Sequence, residues 1–212
     1  MISTKELQLL PTHKSLRTAC KAMAVLDAIL CQDWVYRYYS YNSDWSEGEE
    51  FFEMRNGEGD QLLILFKEEA TVINGYSAEA EQGEKAALTL GLPEVFHEFI
   101  FGEPVHSAGT TFVVWKTGNE DWQTANPAAT DNHSKELLSP LDGKPETYIK
   151  WALDYFKGSY KEEGIPLDTV TRIFKHEPLT KEMVLTLVPE LEDWEQLLED
   201  LEEISFPYHI SH

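Results

Sequence analysis

Glu94, His97 and Glu98 fall within one short stretch, and His106 follows just past a turn. Residues three and four apart share a helix face, so a carboxylate and an imidazole at this spacing can bind one divalent metal or act as an acid–base pair. The same residues also read as a solvated face opposite Phe96, Phe99 and Ile100. A site needs further groups from elsewhere in the fold, so these four stand as weak catalytic candidates, and no metal or cofactor is assigned. A second acidic stretch holds Asp44, Glu47, Glu49 and Glu50, with Glu58 and Asp60 in a neighbouring turn. A calcium loop requires a glycine at its sixth position and a glutamate at its twelfth. Counting from Asn42, Glu53 meets the second requirement but Gly48 comes one place late, so the acids read as turn chemistry.

The third constellation is aromatic: Trp34, Tyr36, Tyr38, Tyr39, Tyr41 and Trp45. Strand alternation over Trp34–Tyr41 sends Trp34, Tyr36 and Tyr38 to one face and Tyr39 and Tyr41 to the other. One face suits the core, and the other suits a pocket or a protein-binding surface, because Tyr and Trp join apolar area to a polar handle. Ser107, Thr110 and Thr111 lie near His106 in sequence, which does not make a triad.

The elements that must position these groups follow from periodicity. Leu16, Ala19, Cys20, Met23, Leu26, Ile29 and Leu30 draw a stripe along an N-terminal helix of about six turns. Four strands are expected next, at Trp34–Tyr41, Glu50–Arg55, Gln61–Phe66 and Ala70–Tyr76. Asn42-Ser43-Asp44, the Asn56-Gly57 turn and Lys67-Glu68-Glu69 separate them. The run Leu62–Phe66 does not alternate, so its strand should lie centrally, covered on both faces. Ser77–Leu90 reads as an exposed helix, Pro93 opens a short amphipathic one, and Thr110–Lys116 is a further strand. Residues 119–143 read as a long loop with one helical turn at Leu137-Leu138. Pro145 leads a helix through Tyr148, Trp151, Ala152, Tyr155 and Phe156, and Asp168–Phe174 reads as β-like. Thr180 caps Lys181–Leu187, and Leu191, Trp194, Leu197, Leu198 and Leu201 stripe a last helix rich in acids. His209 and His212 are expected to fray. The fold class is therefore α+β, an antiparallel meander of four to six strands packed by N-terminal and C-terminal helices. Residues 1–212 read as one domain, with a helical annex from about 144 as the alternative.

Charge narrows the function classes. The chain of 212 residues has 38 Asp plus Glu against 17 Lys plus Arg, a net charge of −21. That balance offers no basic stripe to displace counterions from nucleic acid, and it disfavours anionic membranes. What remains is solubility or attraction to a basic protein. Cys20 and Cys31, read within one helix, sit about 16 Å apart along its axis and do not form a disulfide. With no export pattern and no long apolar run, a cytoplasmic location is expected.

Phosphate-binding glycine loops, paired-cysteine motifs, His-Glu-x-x-His and nucleophile elbows are absent from the sequence. The stretch Leu90-Gly91-Leu92-Pro93-Glu94-Val95-Phe96-His97-Glu98-Phe99-Ile100 resembles the Leu-Pro-plus-aromatic helix of the SUKH group, which contains bacterial toxin-immunity proteins and yeast cell-wall regulators. Glu103-Pro104, Thr111–Trp115 and Asp142–Tyr148 are similar to an uncharacterised bacterial family of about 200 residues, a resemblance that implies no activity, cofactor or active-site residue. The expected function is a non-catalytic binding module of immunity type acting on a basic protein. The alternatives are a small-molecule or metal-dependent enzyme using the 94–106 cluster, and a subunit that pairs with its own copy through the helix around Trp194.

Overall fold

A computed structural model describes residues 1–81, 83–125 and 132–210 of the chain. The first long helix, α1 (His13–Leu30), starts where the Thr12 side chain accepts the Ser15 amide. It is shorter than the six turns expected, and Cys31 lies just past its end rather than within it. Every residue from Ala19 to Leu30 is buried, so the second half of α1 is surrounded rather than laid on a surface. Five strands follow as an antiparallel meander in spatial order: β1 (Tyr39–Ser46), β2 (Glu49–Arg55), β3 (Gln61–Phe66), β4 (Ala70–Tyr76) and β5 (Phe112–Thr117). Three short helices bridge the last two strands: α2 (Lys85–Leu88), α3 (His97–Phe101) and α4 (Val105–Ala108). The remainder holds α5 (Ser134–Leu138), α6 (Pro145–Tyr155), α7 (Leu167–Phe174), β6 (Leu179–Thr180), α8 (Lys181–Leu187), α9 (Trp194–Ile204) and β7 (Tyr208–His209), with β6 and β7 paired in parallel. His209, expected to fray, is thus paired with Thr180, and His212 falls outside the described residues.

The sheet separates two apolar layers, as the period of two requires. Tyr39, Tyr41, Phe52, Ile64, Ile73 and Val114 face α1 and share one core with α6 to α9. Phe51, Leu63, Leu65, Val72 and Trp115 face the other way, onto Phe96, Phe99 and Ile100. β3 lies at the middle of the meander with Leu62–Phe66 wholly buried, as its unbroken apolar run predicts. One position here tolerates no side chain: a Cβ on Gly75 would meet the Phe112 ring at 2.1 Å, because the far end of that ring occupies the space a side chain would need. Gly75→Ala is therefore expected to cost about 2–3 kcal/mol through overpacking, read as a lower denaturant midpoint with an unchanged slope.

Three further sequence expectations are corrected. Trp34–Tyr41 is not one strand: Trp34–Tyr36 is a 3-10 turn capped by Asp33, whose carboxylate accepts the Val35 amide at 3.1 Å, and β1 begins only at Tyr39. The Asp27 carboxylate also accepts the amides of Tyr38 and Tyr39, at 3.0 and 2.8 Å, so a side chain occupies the donors that a longer strand would offer a neighbour. Asp168–Phe174 is helical, within α7, rather than β-like. Its β-branched residues cost only tenths of a kcal/mol each in a helix, and burial of Val170 and Ile173, three apart, outweighs that. In Ser77–Leu90 the described residues form a helix only at Lys85–Leu88, none of it buried, since Ala-Glu-Lys composition supplies no apolar stripe to dock. The loop expected over 119–143 includes residues 126–131, which lie outside the described residues; its helical turn extends over Ser134–Leu138. No helix among the described residues is long and apolar enough to cross a membrane.

Candidate functional site

The capped turn after α1 determines which aromatic side chains reach the surface. Trp34, Val35 and Tyr36 are 50%, 69% and 66% exposed, and Trp45, near the far end of β1, is 44% exposed. Tyr39 and Tyr41 are core residues, while Tyr38 is half-buried against Trp151 and Tyr155, with ring centroids 4.7 and 5.1 Å away. The proposed aromatic surface therefore divides: Trp34, Tyr36 and Trp45 are presented, Tyr38 is a hinge between surface and core, and Tyr39 and Tyr41 are interior. Tyr155, which sequence reasoning placed only in a helix stripe, joins the exposed group by donating its hydroxyl to the Tyr36 carbonyl at 3.2 Å.

Between Trp34 and Trp45 a cleft of about 110 Å³ straddles the outer edge of β1. Its lining takes Tyr39 and Tyr41 from one strand face, Ser40 and Asn42 from the other, and Glu203 and Ile204 from α9. Its floor is a buried ion pair in which Arg37 Nη1 and Nη2 reach the two carboxylate oxygens of Asp200 at 2.8 and 2.7 Å. Arg37 also donates to the carbonyls of Cys31 and Gln32, so its guanidinium makes four hydrogen bonds and ties the end of α1 to α9. Trp45 stacks on Phe51 at 4.5 Å, and Arg55 lies over the Trp34 ring at 4.1 Å.

The carboxylates that remain are Glu53 and Glu203. Glu53, with a side chain 21% exposed, has a single ion contact among the described residues, Arg55 Nε at 3.7 Å, and burial pushes its carboxyl above the usual range while Arg55 pulls it down. Glu203 accepts from Asn42 Nδ2 at 3.0 Å; burial and then the neighbouring Asp200 charge push its carboxyl up, against Arg37 and the Asn42 bond. Glu53 stood out in the sequence only in the calcium-loop count, and Glu203 only as one acid of the last helix. Asp200 did carry a signal, being an acid in phase with Leu197, Leu201 and Ile204 on the apolar face of α9.

The other constellations are dispersed. Glu94, His97, Glu98 and His106 all lie exposed on short elements; His97 Nε2 sits 3.2 Å from the Leu92 carbonyl and its ring meets Phe101 edge-on at 5.4 Å. No group of three or more His, Cys, Asp or Glu side chains among the described residues is arranged to hold a metal ion. Three acids of the calcium-like stretch and its neighbouring turn serve the fold. Glu50 takes Arg17, Lys21 and the Tyr41 hydroxyl, Glu49 takes Lys67, and Asp60 accepts from Asn56 and the Ala78 amide. Burial, and after it the Arg17 charge, draw the Lys21 ammonium down to about 8, with Glu50 3.0 Å away on the opposing side. Trp194 is half-buried beneath Lys181 at 4.9 Å.

Fold and site together define an α+β fold whose antiparallel meander carries an acid-walled aromatic cleft at one edge. No family model matches the chain, and no curated protein or solved structure matches it.

Proposed function

We propose that the chain is a non-catalytic protein-binding module of immunity type, acting in the cytoplasm, whose aromatic and acidic face neutralises a basic protein. One observation carries this reading: Trp34 and Trp45 are exposed at a cleft, with Tyr36 exposed beside Trp34 in the chain, and the cleft's buried cation, Arg37, is already neutralised by Asp200, so Glu53, which has only a long contact to Arg55, and Glu203 set the charge of its lining. Exposed tryptophan and tyrosine supply anchors that gain binding energy when desolvated, and a net charge of −21 speeds encounter with a positive surface. The SUKH-like stretch around Phe96 adds a resemblance of the same class. The competing enzyme reading needs convergent groups, and Glu94, His97, Glu98 and His106 project from three successive short elements.

The test uses wild-type chain and a Trp34→Ala/Trp45→Ala variant as parallel baits in lysate of the source cell, with salt elution and identification of what elutes. The proposal expects a basic protein on the wild-type bait at low salt, released as ionic strength rises, and bound at least 30-fold more weakly by the variant, in line with hot-spot losses of about 2 kcal/mol. Equal retention on both baits, or nothing retained on either, would overturn it.

A further inference from the structure

We infer that the cleft between Trp34 and Trp45 is a pocket for a single guanidinium, and that it receives an arginine side chain of the basic partner. This inference rests on the binding-module reading and names the chemistry of its central contact.

The molecule already builds this arrangement once from its own residues. Arg55 lies over one aromatic ring, Trp34, at 4.1 Å, with a carboxylate, Glu53, 3.7 Å from its Nε. A planar, weakly hydrated cation gains from an aromatic face and a carboxylate together in a way that a compact ammonium does not. The cleft offers the same pair of elements a second time. Trp45 is backed by Phe51 and keeps nearly half its surface open, and Glu203 stands at the rim, with one oxygen engaged by Asn42 and the other without a partner among the described residues.

Size and charge favour the same occupant. A volume of about 110 Å³ admits the head of one side chain, not a helix or a stacked ring pair. No lysine lines the cleft, and the charge of Arg37 in its lining is balanced by Asp200, so no unpaired cation there repels an incoming one. Both carboxylates are pushed above their ordinary range by burial, Glu53 despite its long contact to Arg55, and a further cation in the cleft they line relieves that cost. An apolar occupant would leave Glu53 more deeply buried with only its long contact to Arg55, which disfavours it.

The experiment titrates the full chain with a blocked tripeptide carrying a central arginine between glycines, and with its lysine and citrulline counterparts. It follows the tryptophan indole N–H signals by NMR, assigned with Trp34→Phe and Trp45→Phe. The pocket predicts saturable shifts of the Trp34 and Trp45 signals with the arginine probe, binding at least fivefold weaker with lysine, and no saturable shift with citrulline. It also predicts at least a tenfold weaker arginine Kd in Glu53→Gln/Glu203→Gln, a nearly isosteric change whose fold is checked by an unaltered thermal midpoint. Shifts confined to Trp122 or Trp194, equal response to citrulline, or an unchanged Kd in the double variant would each remove the pocket. Failure of this titration alongside a successful capture of a basic protein would leave the module reading standing without its arginine site. Saturation by the arginine probe with no protein captured would remove the module and keep the site.

Discussion

Asp27→Ala is expected to destabilise the fold by about 3–5 kcal/mol, because it orphans three donors at once. Asp27 is completely buried near the end of α1, where one oxygen accepts the Tyr38 and Tyr39 amides and the other accepts the Tyr148 hydroxyl at 2.7 Å. That single side chain joins α1, the start of β1 and α6, and it positions the turn that presents Trp34 and Tyr36. Burial pushes its carboxyl up to about 7, against the Tyr39 amide, the Tyr148 hydroxyl, the Tyr38 amide and the Arg37 charge. The sign of the pH effect follows. In the unfolded chain the group loses its proton near the ordinary value of about 4, whereas the folded chain keeps it until about 7. Across that window the folded state binds the extra proton, so this group's contribution falls as pH rises and levels off above it. Asp27→Asn can keep all three contacts, its amide donating to the Tyr148 oxygen, without titrating. Chemical denaturation at pH 5 and pH 8 should therefore show wild type losing stability relative to Asp27→Asn at the higher pH; parallel behaviour would contradict the assignment.

Asp200→Ala is expected to cost a similar amount, about 3–5 kcal/mol, for a different reason. It strands the Arg37 guanidinium, only 6% exposed, with the Cys31 and Gln32 carbonyls but no counter-charge. Replacing both partners by apolar residues should recover much of the loss, since the penalty is that of an unpaired buried ion rather than the worth of the bond. A denaturant series on Asp200→Ala, Arg37→Met and the double variant measures this coupling, and additive losses would contradict it. The variant also tests the cleft, because Arg37 and Asp200 form its floor.

Much of the sheet was legible because its signals are local. The apolar run Leu62–Phe66 marks a strand covered twice, and Asn56-Gly57 marks the turn before it: Gly57 takes a positive φ of 76° and the Asn56 side chain accepts the Glu58 and Asp60 amides. The misreadings have a common physical source. Trp34–Tyr36 has the composition of a strand, yet Asp33 and Arg37 on either side bend it into a turn through hydrogen bonds to side chains and carbonyls. The helix α7 has the β-branched residues of a strand, yet its burial pattern decided the outcome. The cleft itself was beyond reach of periodicity, since Glu53 comes from β2 and Glu203 from α9, and only the tertiary fold brings them to one opening. Its aromatic half was visible in the sequence as a cluster, whereas its acids appeared there only singly and in other roles.

Hydrogen exchange on the chain with and without its captured basic partner tests the central claim most directly. Protection on binding is expected to concentrate in the amides from Trp34 to Ser46 and in the last turn of α9, and to fade as salt is raised. Protection centred instead on α3 and α4, with Trp34–Ser46 unchanged, would contradict it.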